Sequence, residues 1–139
     1  MPAKRATVSK AMETPQPRER CRRGAAPCDP DVLSMSALMG LVEAACVDAM
    51  CDRVRSDEWS IGRMTHFTHL VPTRSDVPVF VTATFRTFDG ERYWFDVVAT
   101  DAAGPVASAS HARSIVERSA LEFQCASRRG RAGDMDSSC

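Results

Sequence analysis

Apolar residues recur along this chain at two different periods. Leu38, Leu41, Val42, Ala45, Ala49 and Met50 fall at three- and four-residue intervals, the repeat of one face of an α-helix. The stretch Asp31-Val-Leu-Ser-Met-Ser before them carries the short polar side chains that start helices. The pattern predicts a helix of about five turns over 37–54, at about 3.6 residues per turn. From Ala37 to Val47 apolar residues wrap nearly all the way round, interrupted by Glu43, and such a helix is expected inside a core.

Downstream the period falls to two. Val77, Val79, Val81, Ala83 and Phe85 alternate with Thr82, Thr84 and Arg86, and Tyr93, Phe95, Val97 and Ala99 alternate in the same way. Both segments read as half-buried strands. Phe88-Asp89-Gly90 lies between them. Opposed residues share a sheet face, so odd positions should pair with odd. A three-residue loop over 88–90 with Gly90 left-handed would then pair Phe85 with Tyr93 and Ala83 with Phe95. Asp101-Ala-Ala-Gly-Pro105 marks a second reversal, with Val106 to Val116 returning as a strand that contains His111. Ser60 to Val71 supplies a further strand.

One apolar helix followed by an antiparallel meander predicts an α+β architecture, a sheet curling around a single long helix. The domain spans 31–125. Residues 1–30 carry seven Lys or Arg against three acids with almost no apolar period, so they are expected to be mostly mobile, with room for a short strand between Ala6 and Met12. Residues 126–139, ASRRGRAGDMDSSC, hold no apolar anchor and are expected as a disordered tail.

The length of 139 residues suits one domain. Its 18 basic and 18 acidic residues cancel, so no global field points to nucleic acid or to a membrane surface. Neither a signal-peptide core near Met1 nor a run of 18 apolar residues is present, and the expectation is a soluble cytoplasmic protein. In that compartment the six cysteines are expected as thiols.

Within the predicted helix, Glu43 is a carboxylate among apolar neighbours, which requires a partner or a shifted pKa. Three histidines, His66, His69 and His111, are the candidate acid–base groups. The His66-Phe-Thr-His69 spacing does not make a metal site, because strand residues three apart point to opposite faces. No CxxC pair and no GxSxG elbow occurs, and no metal is expected. The cluster Arg18, Arg20, Arg22 and Arg23 reads as a solvated segment.

The stretch DVLSMSALMGLVEAACVDAM at 31–50 resembles the central helix of the fluoroacetyl-CoA thioesterase-like family, whose single Glu falls on Glu43. Ser60-Ile-Gly62-Arg-Met-Thr-His-Phe-Thr-His69 resembles that family's strand with a glycine and, seven residues later, a catalytic histidine. Glu43 and His69 are 26 positions apart, as in the family, and VTATFRTFDGERYWFDVVATD with SASHARSIV resembles its remaining hairpin and final strand. The likeness covers roughly 31–123. One position departs: the family's catalytic threonine, eight residues before the Glu, is Met35 here, and methionine has no hydroxyl. Ser34 and Ser36 flank it.

The resemblance implies a hotdog fold and an acyl-CoA thioesterase acting on a short or small acyl group. Its catalytic residues would be Glu43, His69 and Ser36, with Gly62, Ser34, Met35 and His111 binding substrate. The coenzyme A thioester is the substrate and no cofactor is implied. A homodimer or tetramer with the site at the subunit interface follows from the same likeness. Two other readings stay open, a hotdog acyl-thioester hydratase or dehydratase and a non-catalytic acyl-CoA-binding protein.

Overall fold

The computed structural model describes residues 5–8 and 31–136. The expectation of mobility for 1–30 falls outside them, apart from a strand at β1 (Arg5–Val8). Ser34 starts α1 (Met35–Met50) by accepting a hydrogen bond on Oγ from the Ala37 N–H, at 3.2 Å, which satisfies one of the donors a helix start leaves open. Four strands follow, β2 (Glu58–His69), β3 (Phe80–Phe88), β4 (Tyr93–Asp101) and β5 (Gly104–Glu117). They form one antiparallel sheet with β1 in the order β1-β3-β4-β5-β2.

Alternation decides which side chains meet the helix. Leu38, Val42, Ala45, Cys46, Ala49 and Met50 from α1 are buried against Val81, Ala83, Phe95, Val97, Ala99 and Ala107 from the sheet. The predicted α+β arrangement is therefore present. The opposite face of α1 corrects the expectation of a helix buried all round: Met35, Met39 and Val47 stay 52%, 39% and 42% exposed. A periodicity argument cannot separate a face covered by the chain's own sheet from a face that this chain leaves open. Among the described residues β2 is likewise open, because it pairs with β5 on one side and ends the sheet on the other.

The β3–β4 register differs from the expectation by two residues. Phe85 pairs with Phe95 and Ala83 with Val97, so odd positions do face odd ones, but a bulge between Phe85 and Thr87 and a longer loop carry Tyr93 to Phe88. The loop is longer because the Asp89 carboxylate accepts from the Glu91 and Arg92 N–H groups and from Trp94 Nε1, at 3.0, 2.7 and 2.9 Å. These donors hold the carboxyl down at about 2, the Trp94 bond contributing most. Gly90 does take a positive φ of 99°, the backbone region that favours glycine.

Residues 126–136, expected as part of a tail, instead continue α2 (Arg118–Asp136). Ala, Arg and Met favour helix without any apolar face and continue the Leu-, Glu- and Gln-containing start of α2 through Gly130 and Gly133, so the missing period said nothing against one. No helix among the described residues is long and apolar enough to cross a membrane. Phe95 is fully buried, the largest side chain at the centre of the core. Phe95→Ala is therefore expected to cost about 3–5 kcal/mol of stability, read from the urea midpoint, and a loss well under that range would mean that the core closes over the gap.

Candidate active site

The chain's one nearly buried guanidinium among the described residues fixes where the chemistry lies. Arg113 is on the inner face of β5 and only 3% exposed. Burying this cation requires partners for its charge and its donors. Ser60 on β2 takes one end, with Arg113 Nε donating to the Ser60 hydroxyl at 3.1 Å and Nη2 to its carbonyl at 2.9 Å. Nη1 donates to Glu43 Oε1 at 3.3 Å and to His111 Nε2 at 3.2 Å.

Glu43 thus has the partner that its apolar neighbours demanded. Its side chain is nevertheless 58% exposed, since it lies on the open face of α1. The pair has one buried and one solvated member, so its contribution to stability is discounted by solvent screening.

His111 is buried, and its tautomer follows from its neighbours. Arginine can only donate, so Nε2 accepts; the proton sits on Nδ1 and is donated to Thr65 Oγ1 at 2.5 Å. Burial, then the Arg113 charge, lowers the His111 pKa from its ordinary 6.5, with Glu43 acting in the opposite direction.

Gly62 is the third neighbour. A Cβ there would lie 3.4 Å from Arg113 Nη1, 3.4 Å from Glu43 Oε1 and 3.5 Å from His111 Cε1. Any side chain would therefore occupy the space beside the carboxylate. A bulge between Gly62 and Met64 turns this end of β2 so that Gly62 opposes Arg113.

The structure brings Glu43, Gly62 and His111 together, but it does not bring His69 to them. His69 opposes Ala107 and Gly62 opposes Arg113, a separation along the sheet of about 20 Å. The His69 Nε2 is buried with no hydrogen-bond partner among the described residues, and the ring stands against Phe67 at 6.4 Å between centroids. His66 faces the other side of β2 and is exposed, as alternation requires. At the helix start, Ser36 Oγ lies 3.1 Å from Ser34 Oγ, and Met35 projects into solvent. No group of three or more metal-ligating side chains is found among the described residues. The buried Cys46 thiol is pushed up to about 12, mainly by desolvation, which keeps it protonated and unreactive.

Arg113, Thr65 and Ser60 were missed by sequence reasoning. A signal existed for the first: Arg113 shares the parity of His111 on a strand whose inward face is otherwise apolar or small, and an inward arginine needs an inward acid.

The family model described as fluoroacetyl-CoA-specific thioesterase matches residues 19–119. A curated relative, the fluoroacetyl-CoA thioesterase of Streptantibioticus cattleyicolor, is 33% identical over 87 residues. That match spans 63% of this chain and 63% of the relative's own length. A crystal structure of a variant of the fluoroacetyl-CoA thioesterase with acetyl-CoA superposes with a TM-score of 0.67 at 29% identity, covering 71% of this chain and 74% of that one. A hot-dog-like protein from Thermanaerovibrio acidaminovorans superposes at 0.76 with 19% identity, covering 91% and 90%. The fold is a hotdog fold.

His111 stays neutral in the fold at pH values where the unfolded chain takes up its proton near 6.5. The folded state then binds fewer protons as pH falls below that value, and stability is lost there. His111→Gln cannot titrate, so it should lose less stability than the parent between about pH 7 and about pH 5. Urea midpoints at the two pH values measure this, and equal losses would show that His111 titrates as it does in the unfolded chain.

Proposed function

Because this chain belongs to the fluoroacetyl-CoA-specific thioesterase family, we propose that it hydrolyses the thioester of a small acyl-CoA, at a site completed by a second copy of the chain. The observation that carries the reading is the pair of half-sites at the two ends of β2. Glu43, Arg113 and Gly62 lie at one end, and His69, whose Nε2 has no partner among the described residues, lies at the other.

A free edge explains how they meet. β2 offers a 12-residue strand with one side unpaired among the described residues, and such an edge favours pairing with another strand. Antiparallel self-pairing about a two-fold at His66 sets Thr65 opposite Phe67 of the second copy and Gly62 opposite its His69. All four positions lie on the inner face, so the register respects the pleat. The exposed Met35, Met39 and Val47 on α1 supply apolar surface on the same side for a homodimer, or for a tetramer built from it.

In this arrangement water attacks the thioester carbonyl carbon while His69 takes its proton as general base, and Glu43 orients the water or attacks in its place. The carbon–sulfur bond breaks, and the proton passes from His69 to the departing coenzyme A sulfur. Ser36 supplies a hydroxyl near the carbonyl oxygen, beside open backbone N–H groups at the start of α1. Gly62 leaves room for the acyl group against the sheet. Ser34 fixes the helix start, and Met35 and His111 border the space. Coenzyme A is part of the substrate, and water is the only co-reactant. Acetyl-CoA, carried by the crystallised relative, is the natural first substrate to assay.

A thiol-release assay across acyl-CoA chain lengths tests the activity. Glu43→Gln and His69→Ala are each expected to lower hydrolysis by about two orders of magnitude or more. Co-refolding the two variants then tests the shared site. Half of the dimers combine both chains and carry one intact site of two, so about a quarter of parental activity should return. No recovery would place Glu43 and His69 in the same chain's site or outside it, and unchanged hydrolysis in both single variants would remove the pair from the mechanism. Binding of coenzyme A without any turnover by the parent would mean that the family's reaction was lost with Met35.

Light scattering at micromolar concentration should give a dimer or tetramer. A monomeric protein that hydrolyses acyl-CoA at full rate would overturn the shared site.

A further inference from the structure

Arg113 does not aim itself. A terminal guanidinium nitrogen carries two hydrogens in a fixed plane, so engaging one of them directs the other. On Arg113 Nη1 one hydrogen goes to His111 Nε2 and the other to Glu43 Oε1. Ser60 pins the opposite end of the guanidinium through Nε and Nη2.

His111 can accept only while its proton is on Nδ1; the donor-only Arg113 favours that tautomer, and Thr65 supplies the acceptor that the buried Nδ1–H needs. Thr65 and His111 are opposed on β2 and β5, so both side chains leave the sheet on one face. Thr65 Oγ1 sits 2.5 Å from Nδ1. Were the proton on Nε2, or on both nitrogens, an N–H would face an N–H of Arg113, and relieving that contact would strain the Nη1 bond to Glu43 or the bonds to Ser60.

We infer that Thr65 and His111 are positioning residues for Glu43, a hydroxyl and an imidazole in series that together present an acceptor to Arg113 and so hold the Glu43 carboxylate by one oxygen, leaving its second oxygen to the reactants. Neither residue touches the reacting atoms. The chain of contacts runs from β2 through β5 to α1, so it also ties the orientation of the carboxylate to the strand that ends in His69.

Two measurements test this, and the first needs no activity. The full chain labelled with 15N-histidine contains three imidazoles, His66, His69 and His111. At neutral pH the His111 signals should be those of the Nδ1–H tautomer. Thr65→Val should move them toward the other tautomer, and Thr65→Ser should keep them in place. His111 carrying its proton on Nε2 in the parent, or an unchanged tautomer in Thr65→Val, overturns the inference.

The second measurement rests on the thioesterase reading. Thr65→Val and His111→Phe should each lower kcat about tenfold, the effect of one misdirected hydrogen bond, with KM within about twofold. Thr65→Ser and His111→Gln, which restore the hydroxyl and the acceptor, should recover most of the loss. A loss confined to KM, or no recovery in either conservative variant, would make these ordinary packing residues. Thr65→Val is nearly isosteric and keeps the test available if His111→Phe fails to fold. If the parent hydrolyses no acyl-CoA, the activity reading fails while the spectra still decide the tautomer.

Discussion

A buried cation organises this molecule. Arg113 occupies an inward position on β5 where, His111 apart, the nearby residues along the face are apolar or small, and its side chain is almost completely withdrawn from water. Such a group is tolerated when its donors are used and its charge is met. Four of its five N–H donors find Ser60, His111 and Glu43. The neighbours are in turn fixed: Ser60 must stand on the adjoining β2, two residues before the Gly62 that opposes Arg113, Glu43 must face the sheet from α1, and a Cβ at position 62 would already be in contact with Arg113, Glu43 and His111. Helix, sheet and bulge are thereby locked into one relative placement by a polar cluster at the margin of the apolar core.

That cluster is finished within one chain, whereas the surface around it is not. β2 ends the sheet with an open edge, and α1 turns Met35, Met39 and Val47 outward on the side that carries Glu43. An apolar strip beside a long free edge is unfavourable in isolation. Self-pairing of β2 would relieve both features and would also shorten the distance between Glu43 and a histidine, a separation that the chain cannot close alone. The same geometric operation thus serves stability and chemistry, which is why the proposed site and the proposed assembly stand or fall together.

Much of this is legible in the amino-acid sequence. The two apolar periods placed α1, β3 and β4, the reversal at 101–105 placed β5, and the parity of Val81, Ala83, Phe85, Phe95 and Val97 named the sheet face that meets the helix. Isolation of Glu43 in an apolar run marked it as needing a partner. The parity rule could not count the residues in the hairpin loop, because it cannot foresee a carboxylate such as Asp89 capping three donors and drawing the turn out. Arg113 escaped because charged residues in strands usually face water, so its parity was read less strictly than that of its apolar neighbours. The helical state of 126–136 escaped for the converse reason, since an exposed helix has propensity and no pattern.

At the start of α1 this chain carries Met35 where the family it resembles has a threonine, and helix geometry limits what that departure means. Eight residues along an α-helix leave two side chains about 80° apart around the axis, while seven leave them about 20° apart. Ser36, seven positions before Glu43, therefore lies closer to its line than Met35 does. The Ser36 hydroxyl stays next to that of Ser34, whose acceptor capacity is partly used by the Ala37 N–H. Replacing a hydroxyl by a thioether at position 35 thus removes one polar group from the flank of the strip while an adjacent one stays above the carboxylate. On the proposed reading, the acyl group meets a more apolar wall on one side and a hydroxyl presented from a different angle, and these two changes act on which acyl group fits more than on whether water can be activated.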